Sequence, residues 1–136
     1  MPDVTAQRNY PTTERSVARA RADCWDFLKS CDLPGSLDAM ADIVLVVSEL
    51  MTNAVTHGCV GGTSGRQVRT AIEKAGDVIR VEVRDTRSDN MPRLCEGSAY
   101  DTRGRGLVLV EALADSWGVK PEAVGKTVWV EKRFGR

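Results

Sequence analysis

The sequence predicts an α/β two-layer sandwich, with helices on one face of a mixed, mostly antiparallel sheet. Three observations carry that expectation. Residues Glu14 to Ser30, and the stretch from Ser36 to His57, repeat apolar side chains at helical spacing. Val68, Thr70 and Ile72, and then Ile79, Val81 and Val83, alternate with polar or charged neighbours, which is the period of a strand with one buried face. The predicted order is helix, helix, strand, strand, loop, helix, strand, strand, and it suits helices gathered on one side of an open sheet.

The first 13 residues are polar and contain Pro2 and Pro11, so a frayed start is expected, with a short edge strand from Arg8 to Thr12. Thr13 stands where an N-cap belongs. Val17, Ala20, Cys24, Phe27 and Leu28 then mark the apolar side of the first helix. Leu33-Pro34-Gly35 breaks the chain. Ser36 caps the second helix, and Asp38 in its first turn suits the helix dipole. Gly58 to Gly65 holds four glycines and reads as a loop. Ala75-Gly76-Asp77 is the turn of a hairpin whose second strand ends at Asp85. Residues 86 to 103 show no periodicity, and a structureless stretch of that length inside a compact domain is usually functional or mobile. It leads into Arg103-Gly104-Arg105-Gly106 and an apolar helix from Leu107 to Ala114. Trp117 to Val119 reads as a short strand and Gly125 to Phe134 as the last one.

The bulk composition is that of a globular protein, and residues 1–136 are expected to form a single domain. Apolar residues make up 42 % and charged ones 28 %; 19 basic residues balance 19 acidic ones. With no basic excess, nucleic acid is not an expected partner. No apolar run approaches the ~18 residues of a membrane helix. The opening MPDVTAQRNYPTTE lacks the apolar core of a signal peptide, so a cytoplasmic location is expected. Cys24, Cys31, Cys59 and Cys95 form no CxxC pair, and the chain has one histidine; reduced thiols rather than a zinc site follow.

The second helix carries the chemistry. Asp38, Asp42, Glu49, Thr52, Asn53 and Thr56 line one side of it, with Glu49 and Asn53 one helical turn apart. The ordinary explanation is a solvated helix face. Against it, no Lys or Arg occurs from Ser30 to Gly65, whereas solvated faces mix both signs. A face offering only carboxylate, amide and hydroxyl oxygens suits Mg²⁺ beside substrate phosphates. His57 closes this helix, where the dipole favours a histidine with or without a ligand. Asp85 is either a turn-initiating aspartate or an acceptor for an exocyclic amine such as that of adenine. Gly104 and Gly106 precede a helix whose free N–H groups attract anions, although a plain loop–helix junction looks the same. The glycines follow no strand, and no GxxxxGK followed by Ser or Thr exists, so neither a dinucleotide turn nor a P-loop is present. Trp25, Trp117 and Trp129 read as packing residues, not as a nucleic-acid platform.

In this order the segments ELMTNAVTHG, GRGLVLVEALADSWGV and GKTVW resemble the GHKL, or Bergerat-fold, ATP-binding domain, and most closely its small anti-sigma factor serine/threonine kinases. The resemblance covers nearly the whole chain and implies ATP and Mg²⁺ as ligands. It implies that Asn53 and Glu49 hold the metal, that Glu49 is also the general base, and that Asp85 binds the adenine amino group. It makes residues 86–103 an ATP lid and sets Arg103, Gly104, Arg105, Gly106 and Leu107 at the phosphates. His57 joins the nucleotide-binding set, and Thr127 supports the adenine contact through Asp85. The implied partners are a sigma factor and a STAS-type anti-anti-sigma protein, with a homodimer as the assembly. One departure stands out: the family's DxGxG is here Asp85-Thr86-Arg87-Ser88-Asp89, without either glycine. That loss motivates an alternative, a non-catalytic module acting by protein sequestration. A histidine-kinase catalytic domain fits less well, since the one histidine lies within the ATP-site helix and no dimerisation helix pair is evident; gyrase- or chaperone-type ATPases would need further domains.

Overall fold

Strand β1 (Val4–Pro11) leads into helices α1 (Glu14–Ser30) and α2 (Leu37–His57), followed by the hairpin β2 (Gln67–Ala75) and β3 (Val78–Asp85). A helical segment at 108–113 precedes β4 (Ser116–Pro121) and β5 (Lys126–Arg133). These come from a computed structural model that describes residues 2–35, 37–57, 67–85, 108–123 and 125–135. The five strands form one sheet in the order β1-β2-β3-β5-β4.

Every adjacent pair in the sheet is antiparallel, so the sheet, expected to be mostly antiparallel, is wholly so among the described strands. Connectivity explains this. The α1–α2 pair returns the chain to the end at which it left β1, and β2 then runs back along β1. β2 and β3 join directly through the Gly76 turn, where φ is +63°, a left-handed conformation that glycine adopts without strain.

β1 is longer than the sequence suggests. It pairs with β2 from Val4↔Lys74 to Pro11↔Gln67. Of its side chains only Tyr10 is fully buried, so the strand carries almost no alternation to read. Its start is anchored: Asp3 N donates to Lys74 O at 2.6 Å, and Gly76 N donates to Asp3 Oδ2 at 2.9 Å. Pro11, which has no N–H, sits at the strand's end on the sheet edge.

Helix α1 occupies the predicted residues, with Thr13 in extended conformation before it. The Thr13 hydroxyl makes no cap bond to the backbone and meets Ser16 Oγ at 3.2 Å instead. The core lies between the helices and one sheet face. α1 contributes Ala20, Cys24, Phe27 and Leu28, and α2 contributes Ile43, Val46, Val47, Leu50 and Met51. They pack over Val68 and Ile72 of β2, Ile79, Val81 and Val83 of β3, and Val130 of β5. Val110, from the segment at 108–113, is also fully buried.

The opposite sheet face is polar. Arg80 donates to Glu82 and Glu131, each at 2.9 Å, and its guanidinium lies 4.6 Å from the Trp129 ring centre. Trp129 is therefore an outer-face residue, whereas Trp117 packs against the core. Cys24 and Cys31 are free thiols. No described helix is long and apolar enough to cross a membrane. The expected Ser36 cap, the glycine loop at 58–65 and the lid at 86–103 lie outside the described residues.

Candidate functional site

Alternation along β3 buries Ile79, Val81, Val83 and finally Asp85 against the helix layer. Asp85 thus continues an apolar row with a carboxylate. Antiparallel pairing sets Lys126 of β5 directly opposite it, and paired residues share a sheet face. From above, α2 presents Leu50 and Ala54 to the core and Asn53 at the flank of that apolar stripe. Leu50, Asn53, Ala54, Val83, Asp85, Lys126 and Val128 enclose a recess of about 20 Å³. Across it Lys126 Nζ stands 4.0 Å from Asp85 Oδ2, with the aspartate side chain 5 % exposed and the lysine 26 %. The fold therefore brings together Asn53 and Asp85, two of the residues singled out in the sequence.

Asn53 Oδ1 is buried with no hydrogen-bond partner among the described residues. A buried acceptor left without a donor is uncommon and costs stability unless something meets it. A cation is one such partner, and amide oxygen is a ligand that Mg²⁺ accepts. Among the described residues no three His, Cys, Asp or Glu side chains cluster in the manner of a metal cage. A metal at Asn53 would thus complete its shell with water and phosphate oxygens, which is the usual habit of Mg²⁺. Glu49 is half-buried one turn before Asn53 on the same flank. Asp42, further along this flank, has a plain structural role: it pairs with Lys132 Nζ at 3.9 Å, and that ammonium also donates to Leu113 O at 2.9 Å. For Asp42, the counter-charge missing from the helix sequence comes from Lys132 of β5.

Thr127 is not where the sequence reading sets it. Its register partner is Arg84, so it stands on the outer face, away from Asp85. Its hydroxyl donates to Glu122 Oε2 at 2.7 Å, which lowers the Glu122 pKa. The strand period is two, so of the neighbours Lys126 and Thr127 only one reaches the helix side. That one is Lys126, which the sequence reading missed although its spacing from Val128 and Val130 marks it. His57 ends α2, and its side chain lies outside the described residues. Arg103, Gly104, Arg105, Gly106 and Leu107 lie outside them as well.

A larger cavity of about 270 Å³ lies between α1 and the sheet, next to Tyr10, Asp23, Phe27 and Thr70. Its polar groups answer one another: Tyr10 donates to Asp23 at 2.6 Å, Ser30 to Phe27 O at 2.7 Å and Thr70 to Arg8 O at 3.4 Å. Size alone does not outweigh the unsatisfied oxygen of Asn53, and the smaller recess is the better candidate.

Residues 10–132 match the family described as Histidine kinase-like ATPase domain. The chain belongs to that family. As an ATPase-type domain it is a nucleotide-binding unit whose ligand is ATP. Among solved structures it is similar to the RsbU and RsbW domains of Rv1364c from Mycobacterium tuberculosis, with 25 % identity and a TM-score of 0.74. That match covers 99 % of this chain and 34 % of the other, so the chain spans about a third of its structural relative. No curated protein matches it.

Proposed function

We propose that this histidine kinase-like ATPase domain is an ATP-dependent serine/threonine kinase of the anti-sigma type, binding Mg-ATP at the α2–β3–β5 recess. One observation carries the reading: two distant segments bring an unsatisfied amide oxygen, Asn53 Oδ1, and a buried carboxylate, Asp85, to one small recess. The likeness to a chain containing an RsbW domain and the resemblance of ELMTNAVTHG and GKTVW to anti-sigma kinases support it.

In this reading Asp85 accepts from the exocyclic amine of adenine, and Asn53 holds Mg²⁺, whose charge offsets that of the phosphates. Glu49 takes the proton from a Ser or Thr hydroxyl of an anti-anti-sigma partner. That oxygen bonds to the γ-phosphorus as the bond to the ADP oxygen breaks, leaving phosphoprotein and ADP. Phosphoryl transfer depends mostly on positioning and charge neutralisation, so this small set of groups suffices. The remaining parts of the proposal are Arg103 to Leu107 at the phosphates, a sigma factor as the sequestered client, a homodimer and a cytoplasmic setting.

Calorimetric titration of Mg-ATP into the wild type and Asn53→Ala tests the site. Binding is expected in the wild type, weakened by on the order of a hundredfold in the variant, as for loss of a metal ligand. Equal affinities would overturn the assignment of Asn53. The absence of both DxGxG glycines after Asp85 favours the second reading, a sequestering module without transfer. Glu49→Ala separates the two: a kinase stops labelling its partner, whereas a sequestering module keeps its full effect.

A further inference from the structure

We propose that the outer face of the sheet carries an oxyanion site. Arg69 and Arg84 are its paired cations, and its ligand is a phosphate group, as the free ion or as a phosphomonoester. The site lies on the opposite side of the sheet from the α2–β3–β5 recess and does not depend on the nucleotide reading.

The sheet register assembles it. Successive pairings set Asn9, Arg69, Arg84, Thr127 and Lys120 side by side across the whole sheet. Paired residues share a face, so this row lies with Thr127 on the outer one. It contains three cations and no carboxylate. Arg69 and Arg84 are direct partners, and like charges opposed on neighbouring strands repel. An anion bridging them turns that repulsion into attraction.

The neighbouring carboxylates do not fill this role. The row borders a hollow of about 140 Å³, lined in part by Gln7, Arg69, Glu82, Arg84, Glu122 and Thr127. Arg80 donates to Glu82 at 2.9 Å, and Thr127 donates to Glu122 at 2.7 Å. The Thr127 bond first, and then the charges of Lys120 and Arg84, hold the Glu122 carboxyl below its usual range. Glu82 thus has Arg80 as its counter-ion, and Glu122 has Lys120 nearby. Neither forms an ion pair with Arg69 or Arg84 among the described residues.

The deciding atom is Arg84 Nε. It is buried and has no hydrogen-bond partner among the described residues. A buried donor without an acceptor costs stability, and more so on a charged group. The side edge of a guanidinium, Nε–H beside a terminal N–H, matches two oxygens of one phosphate. A second guanidinium from the adjacent strand supplies the charge that a dianion still lacks. The hollow is several times the ~30 Å³ that a water occupies in the liquid, which leaves room for a phosphate and the first atoms of an ester.

The experiment titrates inorganic phosphate, phenyl phosphate and acetate into the nucleotide-free wild type, Arg69→Gln, Arg84→Gln and the double variant, each first shown to melt cooperatively. Arg133→Gln removes another outer-face cation, the partner of Asp77, and controls for net charge. The Arg84 Nε–H signal in NMR spectra reports on the site directly. The wild type is expected to bind phosphate with a Kd of about 1 mM or below, with that signal shifting. Each of the Arg69 and Arg84 variants should bind about tenfold or more weakly, as for loss of a charge-assisted hydrogen bond, and Arg133→Gln should bind as the wild type does. Arg69 is exposed, so its variant carries the test even where Arg84→Gln fails to fold. Tighter binding of phenyl phosphate than of inorganic phosphate makes the ligand a phosphomonoester, and equal affinities make it the free ion. The proposal is overturned by equal phosphate affinity in the wild type and the double variant, by phosphate binding that leaves the Arg84 signal unmoved, or by acetate binding as tightly as phosphate.

Discussion

Lys126 and Thr127 differ by one position in the chain and by a whole sheet in their surroundings. The first meets Asp85 beneath the helices, and the second meets Glu122 on the outer face. Thr127→Val should therefore raise the Glu122 pKa toward its ordinary value in an NMR titration, because the lost hydroxyl bond is the largest cause of its lowering. The same variant should leave Mg-ATP affinity within about twofold, as expected of a side chain remote from the recess. A large loss would return Thr127 to the nucleotide site. Tyr10→Phe removes the 2.6 Å bond to Asp23 and should cost about 1 kcal/mol, read from the urea midpoint. Asp85 and Asn53 were legible as residues from their positions at a strand end and on a helix flank. Lys126 was written in the same alternation and was obscured by the adjacent threonine, a more familiar partner for an aspartate network.

β4 and β5 hold the outer face through one close contact. Gly118 and Trp129 are direct partners, and a Cβ on Gly118 would come within 2.8 Å of the indole ring. The ring cannot yield freely, because the Arg80 guanidinium lies over it and is itself tied to Glu82 and Glu131. Gly118→Ala should thus destabilise the chain by ~1–3 kcal/mol, the usual range for overpacking, with a lowered urea midpoint and an unchanged slope. In α2, Leu50→Ala should cost ~2–5 kcal/mol, since Leu50 is 2 % exposed in the middle of the core. The bounds of α1 and the β2–β3 hairpin were readable because their apolar residues keep a period. β1 was not, because an edge strand with one buried side chain offers no period to detect.

At the scale of the molecule, burial shapes the alkaline limit of stability. It pushes the Cys24 thiol from its ordinary 9.0 up to about 12, and burial with the Asp23 bond raises the Tyr10 hydroxyl as well. Both groups are held protonated in the fold. Their contribution is complete below pH 9 and declines as pH rises, from about 9 to 12 for Cys24 and from about 10 upward for Tyr10. The melting temperature should fall across that window, and Cys24→Ala should flatten its first part. The sequence by itself determined α1, α2 and the β2–β3 hairpin, their order and the oxygen-rich flank of α2, because periodicity is a property of neighbouring residues. The tertiary structure alone decided that β5 lies beside β3, with β4 outside it, in a register that sets Lys126 against Asp85 and turns Thr127 away. Pairing between distant strands depends on which hydrophobic faces close over the core together, and no local stretch of the chain contains that choice.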